Sequence, residues 1–390
     1  MHMFSIEQSY LITLIRSALR GGEGVVAPEG LNYIKLYNLA CSQSVMQMIY
    51  LPLTVKNVLP STIVNYYEEA YGKAMAKSVN QDIEVNIIME ELERAGVKHM
   101  PLKGFVIKRL YPTPLMRTSC DVDILYDSTC YEKMNSVLLQ CGYFQNSKGG
   151  NHDVYYKQPI MNIEMHNALF NLENKYSVLF SDIWDRVVLC GGKEYEYRMT
   201  VDDFYLHLIT HSAKHFDNSG TGIRSVMDLY LFLKKYRNEL DRKYINNNLD
   251  IVGLRKFAEN FEYVSNVLFD TFDDINTIND ETVEVIAKYL LSFGSYGSAK
   301  NHLASKINKN DNSKIKIIAK IVFLNYQDMS KTYKWLKGRK YLLPLAWIVR
   351  AFIVIFTRPA NIRKSIKPIT DLNKAYIENY QNVRKISGII

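Results

Sequence analysis

Residues 101–127 read PLKGFVIKRLYPTPLMRTSCDVDILYD and place two aspartates, Asp121 and Asp123, one residue apart inside an apolar run. Side chains of a strand alternate between its faces, so both carboxylates should share one face while Val122 and Ile124 point into a core. Two like charges this close oppose each other's ionisation unless a cation lies between them. The stretch therefore predicts an internal strand whose polar face binds an oxygen-liganded divalent cation such as Mg²⁺.

The residues on either side of this strand predict a small α/β unit. Residues 97–102 are predicted to form a short strand, a short helix begins at Gly104, and a longer helix spans 128–142. Two further strands follow, joined at Pro159. The predicted order over residues 97–170 is β-α-β-α-β-β.

The rest of the chain shows helical periodicity. Helices are predicted over residues 1–20 and 31–50, followed by a break that Pro52 and Pro60 bracket, and over 61–96. Thr200 is placed to cap the first of several helices that continue towards the C-terminus. The predicted fold class is α+β, with a small mixed β-sheet core between a helical N-terminal arm and a large helical C-terminal region.

Three regions follow from this pattern: a helical region 1–96, an α/β core 97–200 and a helical domain 201–390. Residues 301–390 contain 18 lysines and arginines against 4 acids, whereas the whole chain has a net charge of +8. A basic C-terminal end indicates an acidic partner such as nucleic acid or anionic lipid, or else a solvated helical surface.

The cysteines and apolar runs bear on the compartment. Five cysteines without a CxxC spacing argue against a disulfide framework or a Cys-based zinc site and favour a reducing cytoplasm. The N-terminal helix lacks the basic start and uninterrupted apolar core of a signal peptide. The longest apolar run, 341–356, is short for a membrane span. It predicts a buried helix, with a membrane-surface contact through residues 330–367 as the less favoured alternative.

The turn before the aspartate strand has features of a phosphate site. Gly104 allows a ligand to approach the backbone, the helix start offers free N–H groups, and Lys103 adds a positive charge. Glu164 and His166 share a face of a later strand and could add a third carboxylate with a histidine beside it. A phosphate cradle followed by metal ligands suits phosphoryl transfer from a nucleotide.

This order of motifs resembles the DNA polymerase β-like nucleotidyltransferase superfamily. The sequence is most similar to a branch of uncharacterised bacterial nucleotidyltransferases that have LKG, DxD and ExH motifs, found here at 102–104, 121–123 and 164–166. The resemblance covers about residues 65–235. The other residues that match this branch are Arg117, His207, His211, His215, Arg224 and Asp228.

The resemblance implies that a nucleoside monophosphate moves from an NTP to a hydroxyl of an acceptor, with release of pyrophosphate. Mg²⁺ or Mn²⁺ would be held by the catalytic acids Asp121, Asp123 and Glu164, of which Glu164 would also act as or orient the base. The phosphates would be held by Lys103, Gly104 and Arg117. The residues expected to support or line the pocket are His166, His207, His211, Arg224 and Asp228. Arg224 and Asp228 are also spaced for an ion pair along one helix.

The acceptor and the catalytic competence stay open at this stage. The acceptor could be tRNA or another polyanion, a small sugar or a protein. The segment WLKGRK, residues 335–340, mixes an aromatic ring with cations as nucleic-acid contacts do. Phe105 follows Gly104 where the superfamily has a hydroxyl side chain. The alternative is therefore a catalytically inactive nucleotide- or partner-binding protein on the same fold.

Overall fold

A computed structural model describes residues 4–56, 58–159, 161–270, 275–295, 297–305, 323–357 and 372–389. Over these residues the fold is α+β, as predicted, with a five-stranded mixed sheet between helical regions. Residues 306–322 and 358–371 lie outside the described residues, and with them part of the predicted basic region and of the predicted membrane contact.

Four helices of the described chain precede the sheet: α1 (Ile6–Leu19), α2 (Tyr33–Ser42), α3 (Met46–Val55) and α4 (Val64–Arg94). The predicted end of the last one is confirmed, because Gly96 follows it with a φ of +65°. The break predicted between Pro52 and Pro60 is present but begins later than Pro52, since α3 ends at Val55 and α4 begins at Val64. Pro52 lies buried inside α3, and the helix predicted over 31–50 is divided in two at Ser44, which has a φ of +55°. Tertiary packing around Ile49 and Leu53, both fully buried, outweighs the local effect of the proline.

The sheet has the strand order β1-β2-β5-β4-β3, in which β2 and β5 are parallel and the other neighbours antiparallel. Its strands are β1 (His99–Pro101), β2 (Val122–Tyr126), β3 (Phe144–Ser147), β4 (His152–Lys157) and β5 (Met161–His166). Helix α5 (Lys103–Ile107) follows β1, and α6 (Tyr131–Gln140) follows β2. The predicted order is confirmed except for β3, a short polar edge strand that the sequence pattern did not indicate.

The two faces of the sheet belong to different parts of the protein. Ile124 and Ile163 are fully buried in a core that the sheet forms with α4 and α6. On the opposite face, Leu125 belongs to the large core that the helices of both ends share. Asp123 and Glu164 lie on this second face, which is called the site face below.

The described helices after the sheet include α8 (Val201–Phe216) and α9 (Arg224–Tyr236), which pack over the site face. Thr200 caps α8 as predicted, since its hydroxyl accepts a hydrogen bond from the Asp203 amide at 3.1 Å. The other helices are α7 (Ile183–Arg186), α10 (Arg242–Ile251), α11 (Arg255–Phe269), α12 (Glu281–Ser292), α13 (Ala299–Ser305), Tyr326–Thr332, Leu343–Thr357 and Lys374–Ser387. A small two-stranded sheet pairs β6 (Val188–Leu189) with β7 (Tyr197–Arg198).

The long apolar run forms the helix Leu343–Thr357, but the prediction that it is buried is wrong. Leu345, Ile348 and Phe352 are 50 to 59 % exposed. The helix packs through Ala346 on a small separate cluster with Met329. Within the described residues, no helix is both long and apolar enough to cross a membrane. A membrane-surface contact therefore stays a prediction.

Candidate active site

A cavity of about 410 Å³ lies between the site face of the sheet and helices α8 and α9. It brings together side chains from segments that are more than a hundred residues apart in sequence. All site residues predicted from the sequence line it, namely Lys103, Gly104, Arg117, Asp121, Asp123, Glu164, His166, His207, His211, His215, Arg224 and Asp228.

The acidic wall of the cavity is built by the sheet. Asp123 of β2 and Glu164 of β5 are direct partners in the parallel register, so their side chains leave the same face side by side. Asp121 lies one residue before β2 and lines the same cavity. The Leu102 amide donates to the Asp123 carbonyl at 2.9 Å, which holds the LKG turn against this strand.

The carboxylates of this wall differ in their electrostatic surroundings. Burial, together with the charges of Asp123 and Glu164, raises the pKa of Asp121. Burial would also raise the pKa of Asp123, but Lys103 Nζ at 3.8 Å and a hydrogen bond from His166 Nε2 at 3.1 Å hold that pKa below its usual value. Of the two aspartates, Asp121 is thus the one whose ionised form its surroundings disfavour, although Lys103 opposes this.

Nitrogen donors stand beside the acids, and one of them was missed from the sequence. The Nε2 atoms of His152 and His166 lie 3.6 and 3.5 Å from Glu164 Oε2. In the described part of the chain these three side chains form the group whose ligand atoms all lie within 4.8 Å of one another. Asp121 and Asp123 line the same cavity, but their carboxylates are not part of this group of three.

A signal for His152 was present in the sequence. The predicted pair of strands turns at Pro159, and counting back from that turn brings residue 152 opposite residue 166. The structure has this pairing, since His152 and His166 are partners in the antiparallel register of β4 and β5.

Arg117 is part of a buried ion pair beneath the LKG turn. Its Nε and Nη2 atoms each donate to the Asp228 carboxylate at 2.8 Å, and its Nη1 donates to the Gly104 carbonyl at 3.1 Å. The predicted pair between Arg224 and Asp228 is wrong, because Asp228 faces the two-pronged guanidinium of Arg117. Arg224 instead donates to the Thr118 carbonyl at 2.7 Å.

The LKG turn itself is compact. Helix α5 begins at Lys103, one residue earlier than predicted, and has only five residues. A Cβ atom at Gly104 would lie 3.4 Å from both Arg117 Nη1 and Ser119 Oγ, so the turn packs closely against these side chains. Phosphate binding by Lys103, Gly104 and Arg117 stays a prediction.

The opposite wall is formed by the histidines of α8. The His211 Nε2 contacts both Lys103 Nζ and, at 3.1 Å, the Nε2 of His215. Burial and the Lys103 charge lower the pKa of His207 to about 3 and that of His215 to about 4, and they lower the pKa of His211 as well. These rings are therefore neutral at pH 7 and line the cavity as polar, uncharged groups.

The comparisons with known proteins place the chain in a family. A family model described as an uncharacterised nucleotidyltransferase matches residues 31–270, well over half of the chain. The chain belongs to this family. The family's match extends on both sides of the residues 65–235 on which the resemblance rests, and it includes the whole sheet together with α8 and α9. Searches of curated proteins and of solved structures give no match.

Proposed function

We propose that the protein is a divalent-cation-dependent nucleotidyltransferase that moves a nucleoside monophosphate from an NTP to an acceptor hydroxyl and releases pyrophosphate. The observation that supports this most is the pairing of Asp123 with Glu164 on neighbouring strands, with Asp121 on the same cavity wall. A cavity of about 410 Å³ lies within the range of small-ligand sites.

The acidic wall fits a divalent cation. Three carboxylates face one cavity, and burial together with the charges of Asp123 and Glu164 raises the pKa of Asp121 despite the opposing charge of Lys103. Asp121, Asp123 and Glu164 would hold Mg²⁺ or Mn²⁺, which when bound would neutralise the phosphate oxygens around the reacting phosphorus.

The protein's own groups would bind and orient the reactants. Lys103 lies beside Asp123 and would bind a phosphate oxygen of the NTP. The acceptor oxygen forms its bond to the α-phosphorus as the bond between that phosphorus and the bridging oxygen breaks, so that pyrophosphate leaves. Glu164 would take the proton of the acceptor hydroxyl. The Arg117–Asp228 pair would keep the LKG turn in place through the Gly104 carbonyl.

A second candidate is a nucleotide- or partner-binding protein without catalysis. Two observations support it. Lys103 contacts Asp123 and so already neutralises the charge of one predicted metal ligand. Phe105 also follows the turn glycine where the superfamily has a hydroxyl side chain. Nucleotide binding without transfer would distinguish this candidate from the enzyme.

The experiment uses NTPs labelled with ³²P at either the α- or the γ-phosphate, together with Mg²⁺ or Mn²⁺ and cell extract as a source of acceptors. The enzyme transfers the α-label only, and Asp123→Asn abolishes that transfer. Glu132→Gln, which removes an exposed acid of α6, is the control. Nuclease, protease and size fractionation of the labelled product separate tRNA or another polyanion, a protein and a small sugar as acceptors.

The opposite outcomes are informative. Calorimetric binding of an NTP without labelling of any fraction favours the non-catalytic protein. Equal transfer by the wild type and Asp123→Asn would show that the acidic wall is not the active site.

A further inference from the structure

We propose that His152, Glu164 and His166 form a transition-metal site that binds Mn²⁺ or Zn²⁺ more tightly than Mg²⁺. The inference rests on the proposed function and deepens it. Glu164 belongs to the acidic wall, so the cavity would bind a transition metal in preference to Mg²⁺. It also assigns a role to His152, which has none in the phosphoryl transfer described above.

The distances between the donor atoms suit one ion. Glu164 Oε2 lies 3.5 Å from His166 Nε2 and 3.6 Å from His152 Nε2. Nitrogen and oxygen ligands of zinc lie at about 2.0–2.2 Å, so two ligands of one ion are roughly 3.0–3.5 Å apart. The ligand atoms of the three residues all lie within 4.8 Å of one another, so adjustment of the side chains would bring them into a common coordination sphere.

The strands hold these donors in position. His152 and His166 are directly opposite in the antiparallel pair of β4 and β5, and their ring centroids are 5.0 Å apart. Glu164 precedes His166 by two residues and therefore points to the same face. All three donors come from the hydrogen-bonded sheet, which positions side chains more accurately than a loop does.

A buried asparagine orients both imidazole rings. Asn151, which is 7 % exposed, has its Oδ1 3.4 Å from His152 Nδ1 and its Nδ2 3.4 Å from His166 Nδ1. Both rings thus turn Nδ1 towards Asn151 and Nε2 towards the cavity. Metal-binding histidines commonly donate the N–H of the second ring nitrogen in the way that His152 Nδ1 donates to Asn151 Oδ1, which fixes the ring orientation. His166 Nδ1 instead accepts from Asn151 Nδ2, so its proton lies on Nε2, and binding of an ion there would require the proton to leave Nε2. Asn151 is therefore a positioning residue for the proposed site.

The ligand types decide the class of metal. Mg²⁺ prefers oxygen ligands and retains water, whereas imidazole nitrogens favour first-row transition metals. The hydrogen bond from His166 Nε2 to Asp123 Oδ1, 3.1 Å long, is the contact that the ion would replace. Asp123 Oδ1 could then bind the same ion.

The test measures metal binding to the full-length, metal-stripped protein without nucleotide. Calorimetry with Mn²⁺, Zn²⁺ and Mg²⁺ should give one strong site for the transition metals, with an affinity for Mg²⁺ at least tenfold lower. Pulsed EPR of the Mn²⁺ form should show coupling to imidazole ¹⁴N. His152→Ala and His152→Gln should weaken Mn²⁺ binding at least tenfold, and Asn151→Ala should weaken it on the order of 10–100-fold.

The control variant is His302→Gln, because His302 contacts Asn218 and does not line the cavity. Far-UV circular dichroism verifies that each variant is folded. Equal affinities for Mg²⁺ and Mn²⁺, or a Mn²⁺ spectrum without nitrogen coupling, would overturn the proposed site.

The transfer assay separates this inference from the proposed function. Nitrogen-coupled Mn²⁺ in a protein that transfers no nucleotide upholds the metal site and refutes the enzyme. Full Mg²⁺-dependent transfer by His152→Ala, with Mn²⁺ binding unchanged, upholds the enzyme and refutes the site.

Discussion

The two faces of the central sheet use neighbouring residues for opposite purposes. On β5, Ile163 and Met165 are fully buried against α4 and α6, while Glu164 and His166 between and beside them face the cavity. The buried face gains free energy by removing apolar surface from water. The site face gathers carboxylates that disfavour one another. We therefore expect substitutions on the site face to remove activity, and substitutions on the buried face to remove stability.

The largest expected effect is on the site face. Asp123→Asn should lower nucleotide transfer on the order of 10³-fold or more, because a carboxylate that would hold the divalent cation beside the reacting phosphate is lost. The amide keeps the shape of the side chain, so circular dichroism should remain that of the wild type. Transfer rates for this variant and for Glu132→Gln measure the contrast, and retention of more than a tenth of the activity would contradict it.

The next effect concerns the buried ion pair that joins the two sides of the cavity. Arg117→Met leaves the Asp228 carboxylate, itself buried, without its two-pronged partner. Removing one partner of a buried pair costs about 3–5 kcal/mol in the free energy of unfolding. Urea unfolding of the wild type and Arg117→Met measures this loss of stability.

The double variant Arg117→Met/Asp228→Leu is the matched control for this pair. It removes both charges and should recover much of the lost stability, since an apolar pair of similar volume can replace a buried ion pair. If Arg117→Met lowers the free energy of unfolding by less than about 1 kcal/mol, the pair contributes no more than a solvent-exposed ion pair does.

On the buried face, Ile163→Ala tests the other half of the comparison. Ile163 is fully buried, and such truncations typically lower the free energy of unfolding by about 2–4 kcal/mol. Metal affinity per folded molecule should stay within about twofold of the wild type, because the donors belong to the other face. Denaturant unfolding and calorimetry measure the two quantities separately. A large loss of metal affinity in folded Ile163→Ala would mean that the two faces are not independent.

The same comparison explains what the sequence could predict. Strict alternation along β2 predicted the burial of Val122 and Ile124 and the shared side of Asp121 and Asp123, and the structure has this arrangement. Local periodicity was sufficient there, because one face of the strand is apolar and the other acidic. The spacing of Glu164 and His166 was informative for the same reason.

The remaining features depend on contacts that local patterns do not encode. Asp228 pairs with Arg117, which is 111 residues away, although a nearer arginine has helical spacing. The helix Leu343–Thr357 is apolar yet exposes Phe352, since burial depends on which surface is available to cover it. His152 required the register of a hairpin as well as the strand pattern.

The smallest effect should have the opposite sign to the others. Burial and the charges of Asp123 and Glu164 disfavour the ionised form of Asp121, so Asp121→Asn should stabilise the metal-free protein. The gain should be about 1 kcal/mol or less, which corresponds to roughly 1–2 °C in Tm.

Added Mg²⁺ or Mn²⁺ should reverse the order of the two melting temperatures, because an ion that binds only the folded state stabilises the wild type more. Thermal melts with chelator and with metal measure this reversal, and Asp185→Asn, which removes an exposed acid, should shift neither melt. A variant that is less stable than the wild type in chelator would show that the Asp121 carboxylate is structurally required, and that the site face also contributes to stability.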